Sequence, residues 1–194
     1  KSQIKAGDYL FIEFGHNDAK IKGEENTAWK SYSDLLIEFI QMAKDKGAFP
    51  VLVTPTQRRS FKTEGFLDEK HGDFPDAMRV VAKKMNVPLI DLTQKTTVCY
   101  ETWGDDESKK SFVHYPANTF PGQTKALEDD THFNSFGANE IAVCVIQGIR
   151  ELNLSLTKNF LKLTPQYDPN HPNYFSNWTL PISSRFEVAK PDGN

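Results

Sequence analysis

The chain predicts a three-layer α/β fold, a parallel sheet flanked by helices, and three features of its N-terminal half predict it. Short, nearly uncharged runs of aromatic and β-branched residues recur as strand candidates. Stretches with apolar residues at helical spacing lie between them, and glycines and prolines close the segments. Strand and helix alternate as βαβαβα, the pattern of parallel strands joined by helices that cover the sheet.

Asp8 to Phe14 (DYLFIEF) reads as a strand buried on both faces. From Thr27, Trp29, Tyr32, Leu35, Leu36, Phe39, Ile40 and Ala43 recur at helical period, with Gly47 as the stop, which makes an amphipathic covering helix. Phe49 to Thr54 (FPVLVT) is a second buried strand, closed by Pro55 and followed by a polar loop through Arg58, Arg59 and Ser60. Asp73 to Asn86 returns to helical period through Ala77, Val80, Val81 and Met85, with Pro75 tolerable only in a first turn, where its missing N–H costs nothing. Val87 to Leu92 is a third strand, and Thr93 is placed to cap a helix running towards Trp103. Pro116, Pro121 and Gly122 break any period between Gly104 and Asp130, so that stretch reads as a long loop of the kind that carries binding function. Ser135 is expected to cap a last helix with Ile141, Val145, Ile149 and Leu152 on its apolar stripe. Pro165, Pro169, Pro172, Pro181 and Pro191, among the aromatic residues Tyr167, Tyr174, Phe175 and Trp178, make the end irregular. The expected division is an α/β domain over residues 1–163 and a tail over 164–194.

A net charge of -3 with a pI near 6.0 supplies no basic field for a polyanion, so no nucleic-acid partner is expected. No apolar run approaches the roughly 20 residues of a membrane span, and the first residues lack the charged-then-apolar pattern of a leader. Cys99 and Cys144 lie in apolar, helical-looking stretches and read as buried free thiols rather than as a disulfide or metal ligands.

Two segments carry the chemistry. In Asp129-Asp130-Thr131-His132, an Asp three residues before a His in a tight turn brings both side chains to one face. The carboxylate can then accept the Nδ1–H and leave Nε2 as a base. Asp129 has that offset, and Asp130 is expected to face solvent. In Phe14-Gly15-His16-Asn17-Asp18, Asn17 ends a strand, where its amide can aim a donor at a developing alkoxide, a contribution of ~3 kcal/mol to a transition state. His16 and Asp18 are placed to brace that loop by hydrogen bonds. Alone, each segment reads more readily as structure: an Asx-turn at Asn17, and a turn cap at Asp129 beside a surface histidine. Ligands of such sheets sit beyond the carboxyl ends of the strands, where both segments and the Arg58–Arg59 loop fall. A guanidinium from Arg58 or Arg59 can bind a ligand carboxylate bidentately, although a solvated loop explains the pair as well. Trp103, Tyr115 and Phe120 can stack on a ring of a ligand, with core packing the commoner role.

Together the two segments resemble the SGNH/GDSL hydrolase family, Gly15-His16-Asn17-Asp18 being similar to its Gly-x-Asn-Asp block and Asp129-Asp130-Thr131-His132 to its Asp-x-x-His block. Pro55 to Phe61, His71 to Ala77, Val87 to Leu92 and Thr131 to Asn134 further resemble the rhamnogalacturonan acetylesterase branch, so the likeness spans about residues 8 to 152. It implies a flavodoxin-like sheet, a serine esterase without metal or organic cofactor, an acetylated pectic polysaccharide or oligosaccharide as substrate, and a secreted or periplasmic location. It further implies that Asn17 donates to the oxyanion, His132 is the general base and acid, and Asp129 orients it.

The chain departs from the family in one respect. The Gly-Asp-Ser block with the nucleophile, and a second-strand glycine that also donates to the oxyanion, would both precede Lys1. Ser31 and Ser33 sit in a helical pattern, Ser60 and Ser111 in polar loops and Ser135 at a cap, so none occupies a strand-to-helix elbow. The chain alone is therefore expected to be inactive, with its first strand left with an open edge, and an N-terminal segment or a second polypeptide is expected to complete the sheet. Two other classes remain: a noncatalytic glycan- or partner-binding module on the same scaffold, and a metal hydrolase using Asp129, Asp130 and His132, disfavoured because adjacent residues rarely supply a full ligand set. No Gly-x-Gly-x-x-Gly or P-loop follows any strand, which argues against a nucleotide site.

Overall fold

The computed structural model describes residues 3–21, 27–62, 65–162 and 164–179. The main elements run β1 (Tyr9–Ile12), α1 (Ser33–Asp45), β2 (Phe49–Val53), α2 (Phe74–Met85), β3 (Leu89–Ile90), α3 (Leu92–Ser108), β4 (Phe112–Tyr115), β5 (Leu127–Phe133) and α4 (Ser135–Glu151). The chain divides into two compact units, the first made of Lys1–Gln57, Glu69–Lys95 and Val145–Thr164, the second of Arg58–Asp68, Thr96–Cys144 and Pro165–Asn194. Pro181 and Pro191 lie outside the described residues.

In the first unit β1, β2 and β3 form a parallel sheet in that order. Each crossover steps to the next strand in the same direction, and right-handed crossovers then put α1 and α2 on one face. There Ile12 and Leu52, partners in register, pack with Tyr32, Leu36 and Ile40 on one helical segment and Ala77, Met78 and Val81 on α2. The end of α4 packs closely on β3: a Cβ on Gly148 would lie 2.6 Å from Cγ2 of Ile90. The expected parallel sheet flanked by helices is present.

Two local expectations change here. β1 is not buried on both faces: among the described residues it pairs with β2 alone, and Phe11 stays 37% exposed while its register partner Val51 is fully buried. Thr93 does not cap α3; Asp91 does, its Oδ1 accepting the Gln94 N–H at 3.0 Å. The Thr93 hydroxyl instead donates to the Pro55 carbonyl at 2.6 Å, because it is turned into a buried polar seam at the carboxyl end of β2.

The second unit holds the larger correction. In place of a loop from Gly104 to Asp130, α3 continues past Gly104, which breaks it at φ 76° and ψ 176°, and β4 and β5 form an antiparallel hairpin. Polar and acidic residues fill β5 (LEDDTHF), so no apolar alternation marks it, and Pro116, Pro121 and Gly122 fall in the connection between the strands. An aromatic core of Tyr100, Trp103, Phe112 and Phe136 overrides that weak local preference. Asn134, not Ser135, caps α4: its Oδ1 accepts the Gly137 N–H at 3.0 Å, and its amide donates to the carbonyls of Lys110 and Phe112. The irregular segment after residue 164 is tied down by Trp103 Nε1 donating to the Asn173 carbonyl at 2.8 Å and by Asn173 Nδ2 donating to buried Glu140 at 2.9 Å. Cys99 and Cys144 are buried free thiols. No helix among the described residues is long and apolar enough to cross a membrane.

Candidate active site

Register places the Asp-x-x-His segment. Phe112 faces Phe133, yet the next residue, Val113, faces Asp129, so residues 130–132 are extruded as a bulge. Inside it, Asp129 Oδ1 accepts the N–H groups of Thr131 at 2.7 Å and His132 at 2.9 Å. Its other oxygen, Oδ2, lies 2.6 Å from His132 Nδ1. One carboxylate thus folds the bulge with one oxygen and aligns the imidazole with the other.

The Asp129 side chain is 3% exposed and that of His132 53%. Burial pushes the Asp129 carboxyl up, but the hydrogen bonds from the His132 ring and from the His132 and Thr131 amides outweigh it and hold the group below the usual carboxylate range. An ionised Asp129 can only accept, so Nδ1 carries the proton and Nε2 is the free base. No described residue hydrogen-bonds Nε2. The pair can therefore take a proton from a hydroxyl and stabilise the resulting imidazolium.

The bulge is clamped from outside. The Arg59 N–H donates to the Asp130 carbonyl at 3.0 Å, and its guanidinium binds Asp130 Oδ1 at 2.6 Å and the Asp105 carboxylate. His114 Nε2 lies 2.8 Å from the same Asp130 oxygen. Asp130 is accordingly engaged rather than simply facing solvent, and Arg59, with a side chain 6% exposed, is committed to two protein carboxylates. Arg58 is half-buried, and desolvation lowers its pKa. Asp105 and His114 escape a sequence reading because their helix and strand do; an arginine in the loop that follows a buried strand is the one signal that points to the clamp.

Asn17 belongs to the first unit. Gly15, with φ +112°, turns the chain out of β1 where a Cβ would come 3.0 Å from the Tyr32 hydroxyl, itself donating to the Phe14 carbonyl. Asp18 Oδ2 accepts the Gly15 N–H at 3.1 Å, and His16 Nδ1 lies 3.1 Å from Nε2 of fully buried His71. On this braced turn the Asn17 side chain is exposed and makes no cap hydrogen bond. Among the described residues no group of three or more His, Cys, Asp or Glu side chains is placed to hold a metal ion.

Comparison with known proteins places the chain in a family. The GDSL-like lipase/acylhydrolase family profile matches residues 1–145. Rhamnogalacturonan acetylesterase RhgT of Bacillus subtilis (strain 168) is 45% identical over 153 residues, 79% of this chain and 65% of the relative. Probable rhamnogalacturonan acetylesterase YesY of the same organism is 37% identical over 164 residues, 82% of this chain and 70% of the relative. The chain thus spans about two thirds of the length of these curated relatives. Among solved structures, protein YXIM_BACsu from Bacillus subtilis shares the fold with a TM-score of 0.62 at 22% identity, over 79% of this chain and 40% of that one. With its parallel sheet, its aspartate-held histidine and a profile match over most of its length, the chain belongs to the GDSL-like lipase/acylhydrolase family.

Proposed function

We propose that this chain carries the acid–base part of a carbohydrate O-acetyl esterase that acts on acetylated pectic polysaccharide or oligosaccharide. The observation that carries the reading is the buried Asp129 carboxylate holding Nδ1 of His132 while Nε2 stays open. The names of the two relatives supply the substrate class.

A serine hydroxyl, provided outside this sequence, gives its proton to His132 Nε2 as its oxygen bonds to the acetyl carbonyl carbon. The Asn17 amide donates to the oxyanion. Collapse breaks the ester bond, and the imidazolium returns the proton to the departing sugar oxygen, leaving an acetyl-serine. Water, deprotonated by the same nitrogen, then releases acetate and restores the serine. Neither metal nor organic cofactor takes part.

The strand that brings this serine adds to the free edge of β1. Supporting this are Phe11 and Phe14, 37% and 48% exposed, and Leu35 on α1, 53% exposed. A polymeric substrate suits a secreted or periplasmic enzyme. Arg58 is kept as a substrate contact, and Arg59 acts on the sugar only through the clamp.

The test joins or mixes the chain with a segment bearing the Gly-Asp-Ser block and measures acetate released from acetylated rhamnogalacturonan. Release by the combination and not by the chain alone is expected. A combination that folds and binds pectic sugar without releasing acetate would instead make the protein a binding module.

A further inference from the structure

A cavity of about 300 Å³ opens in the second unit, lined in part by Asn134 and Ser135, the second and third residues after His132. Phe175 and Trp178 wall it, and both stand edge-on against buried Phe136, with ring centroids 5.6 Å and 5.5 Å away. Contact with that buried ring holds the walls in place before a ligand arrives, which lowers the ordering cost of binding.

The polar lining divides into spent and open groups. Asn134 is spent on the backbone of Lys110, Phe112 and Gly137, and His114 is held by Asp130. Lys110 is open: its ammonium lies 2.6 Å from Glu107 Oε2, but that contact uses one of three N–H donors, in a pair whose lysine side chain is 49% exposed. The Ser135 hydroxyl is exposed and has no hydrogen-bond partner among the described residues. Tyr115 also lines the cavity, and its hydroxyl is hydrogen-bonded to the Asn134 side chain. What remains open is two aromatic walls, one cation and one hydroxyl. A neutral sugar would leave the cation unused, and a small inorganic anion would leave the rings unused. A pyranose carrying a carboxylate uses all of them: ring C–H groups on the aromatic faces, the carboxylate on Lys110 and a hydroxyl on Ser135.

We propose that this cavity binds a uronic acid residue of the sugar chain whose acetyl ester is cleaved at His132. The choice of a sugar polymer rests on the esterase reading above. It assigns carboxylate recognition to Lys110, where the sequence alone points to the Arg58–Arg59 pair.

Nuclear magnetic resonance titration of this chain with D-galacturonate, and with D-galactose as the carboxyl-free control, tests the proposal. Galacturonate is expected to shift the Trp178 indole N–H and the amides of residues 134–136, and to bind about fivefold more tightly than galactose. Lys110→Gln should erase that preference, so that the two sugars bind with equal affinity, whereas Trp178→Ala should weaken both sugars. Equal binding of the two sugars, a preference that survives Lys110→Gln, or no saturable shift at these residues overturns the proposal. Binding needs no serine, so the two readings fail separately: acetate release by the completed protein without galacturonate binding breaks this inference alone, and binding without release breaks the esterase reading alone.

Discussion

The same four-residue spacing occurs twice in the second unit, and the two copies teach what makes a site. In Asp129-Asp130-Thr131-His132 and in Asp168-Pro169-Asn170-His171, an aspartate Oδ2 meets the histidine Nδ1, at 2.6 Å and 2.9 Å respectively. Asp168 is 53% exposed and His171 84%, and the Asp168 carboxyl is drawn down to about 2, first by the Asn170 side chain and then by His171. Asp129 is 3% exposed and sits in a bulge that is clamped through Asp130 by Arg59 and followed by α4, which begins three residues after the histidine. The hydrogen bond is common to both. Burial of the carboxylate and rigidity of its support separate them, because water competes for the exposed pair and leaves the imidazole free to turn.

This contrast can be broken most sharply by activity in the completed protein. His132→Ala should lower acetate release by at least about a thousandfold and His171→Ala by less than about twofold, measured as kcat/KM. Asp129→Asn should cost about a hundredfold or more, since the amide can hold the wrong tautomer, while Asp168→Asn should be silent; equal losses would make the spacing, not the burial, decisive. Arg59→Met removes the clamp and should lower stability by about 2 kcal/mol in denaturant unfolding, with the Asp129–His132 hydrogen bond weakened in turn. The smallest effect is on acid stability. A carboxyl whose folded pKa is depressed contributes stability that is full above its unfolded value near 4 and is lost as pH falls through the lower folded value. Asp129→Asn should therefore flatten the stability profile below about pH 4, and Asp168→Asn, at an exposed and solvent-screened carboxylate, should flatten it less.

Legibility in the sequence follows the same division between strong local pattern and tertiary support. The strand around FPVLVT and the helices on either side of it could be read because burial of a parallel strand writes itself as an uninterrupted apolar run. β5 could not, since its residues are chosen for chemistry and for the clamp, and its strand conformation comes from pairing with β4 and from the aromatic core beneath. Thr93 and Ser135 both carry cap chemistry, yet Asp91 and Asn134 cap the helices. Hydroxyl, carboxamide and carboxylate oxygens can all accept a helix-end N–H, and only the fold decides which of them is in reach. The loop position of Arg59 after a strand suits a substrate ligand as well as a clamp; its two carboxylate partners, Asp105 and Asp130, lie 46 and 71 residues away in sequence, and no local pattern pairs them with it.

The central claim is that Asp129 and His132 form an esterase's acid–base pair waiting for a serine. Its most direct measurement is acetate release from acetylated rhamnogalacturonan by the chain completed with a Gly-Asp-Ser segment, beside the same protein carrying His132→Ala. Release that collapses in the variant is the predicted result; release that persists in it, or that never appears in a folded, completed protein, contradicts the account.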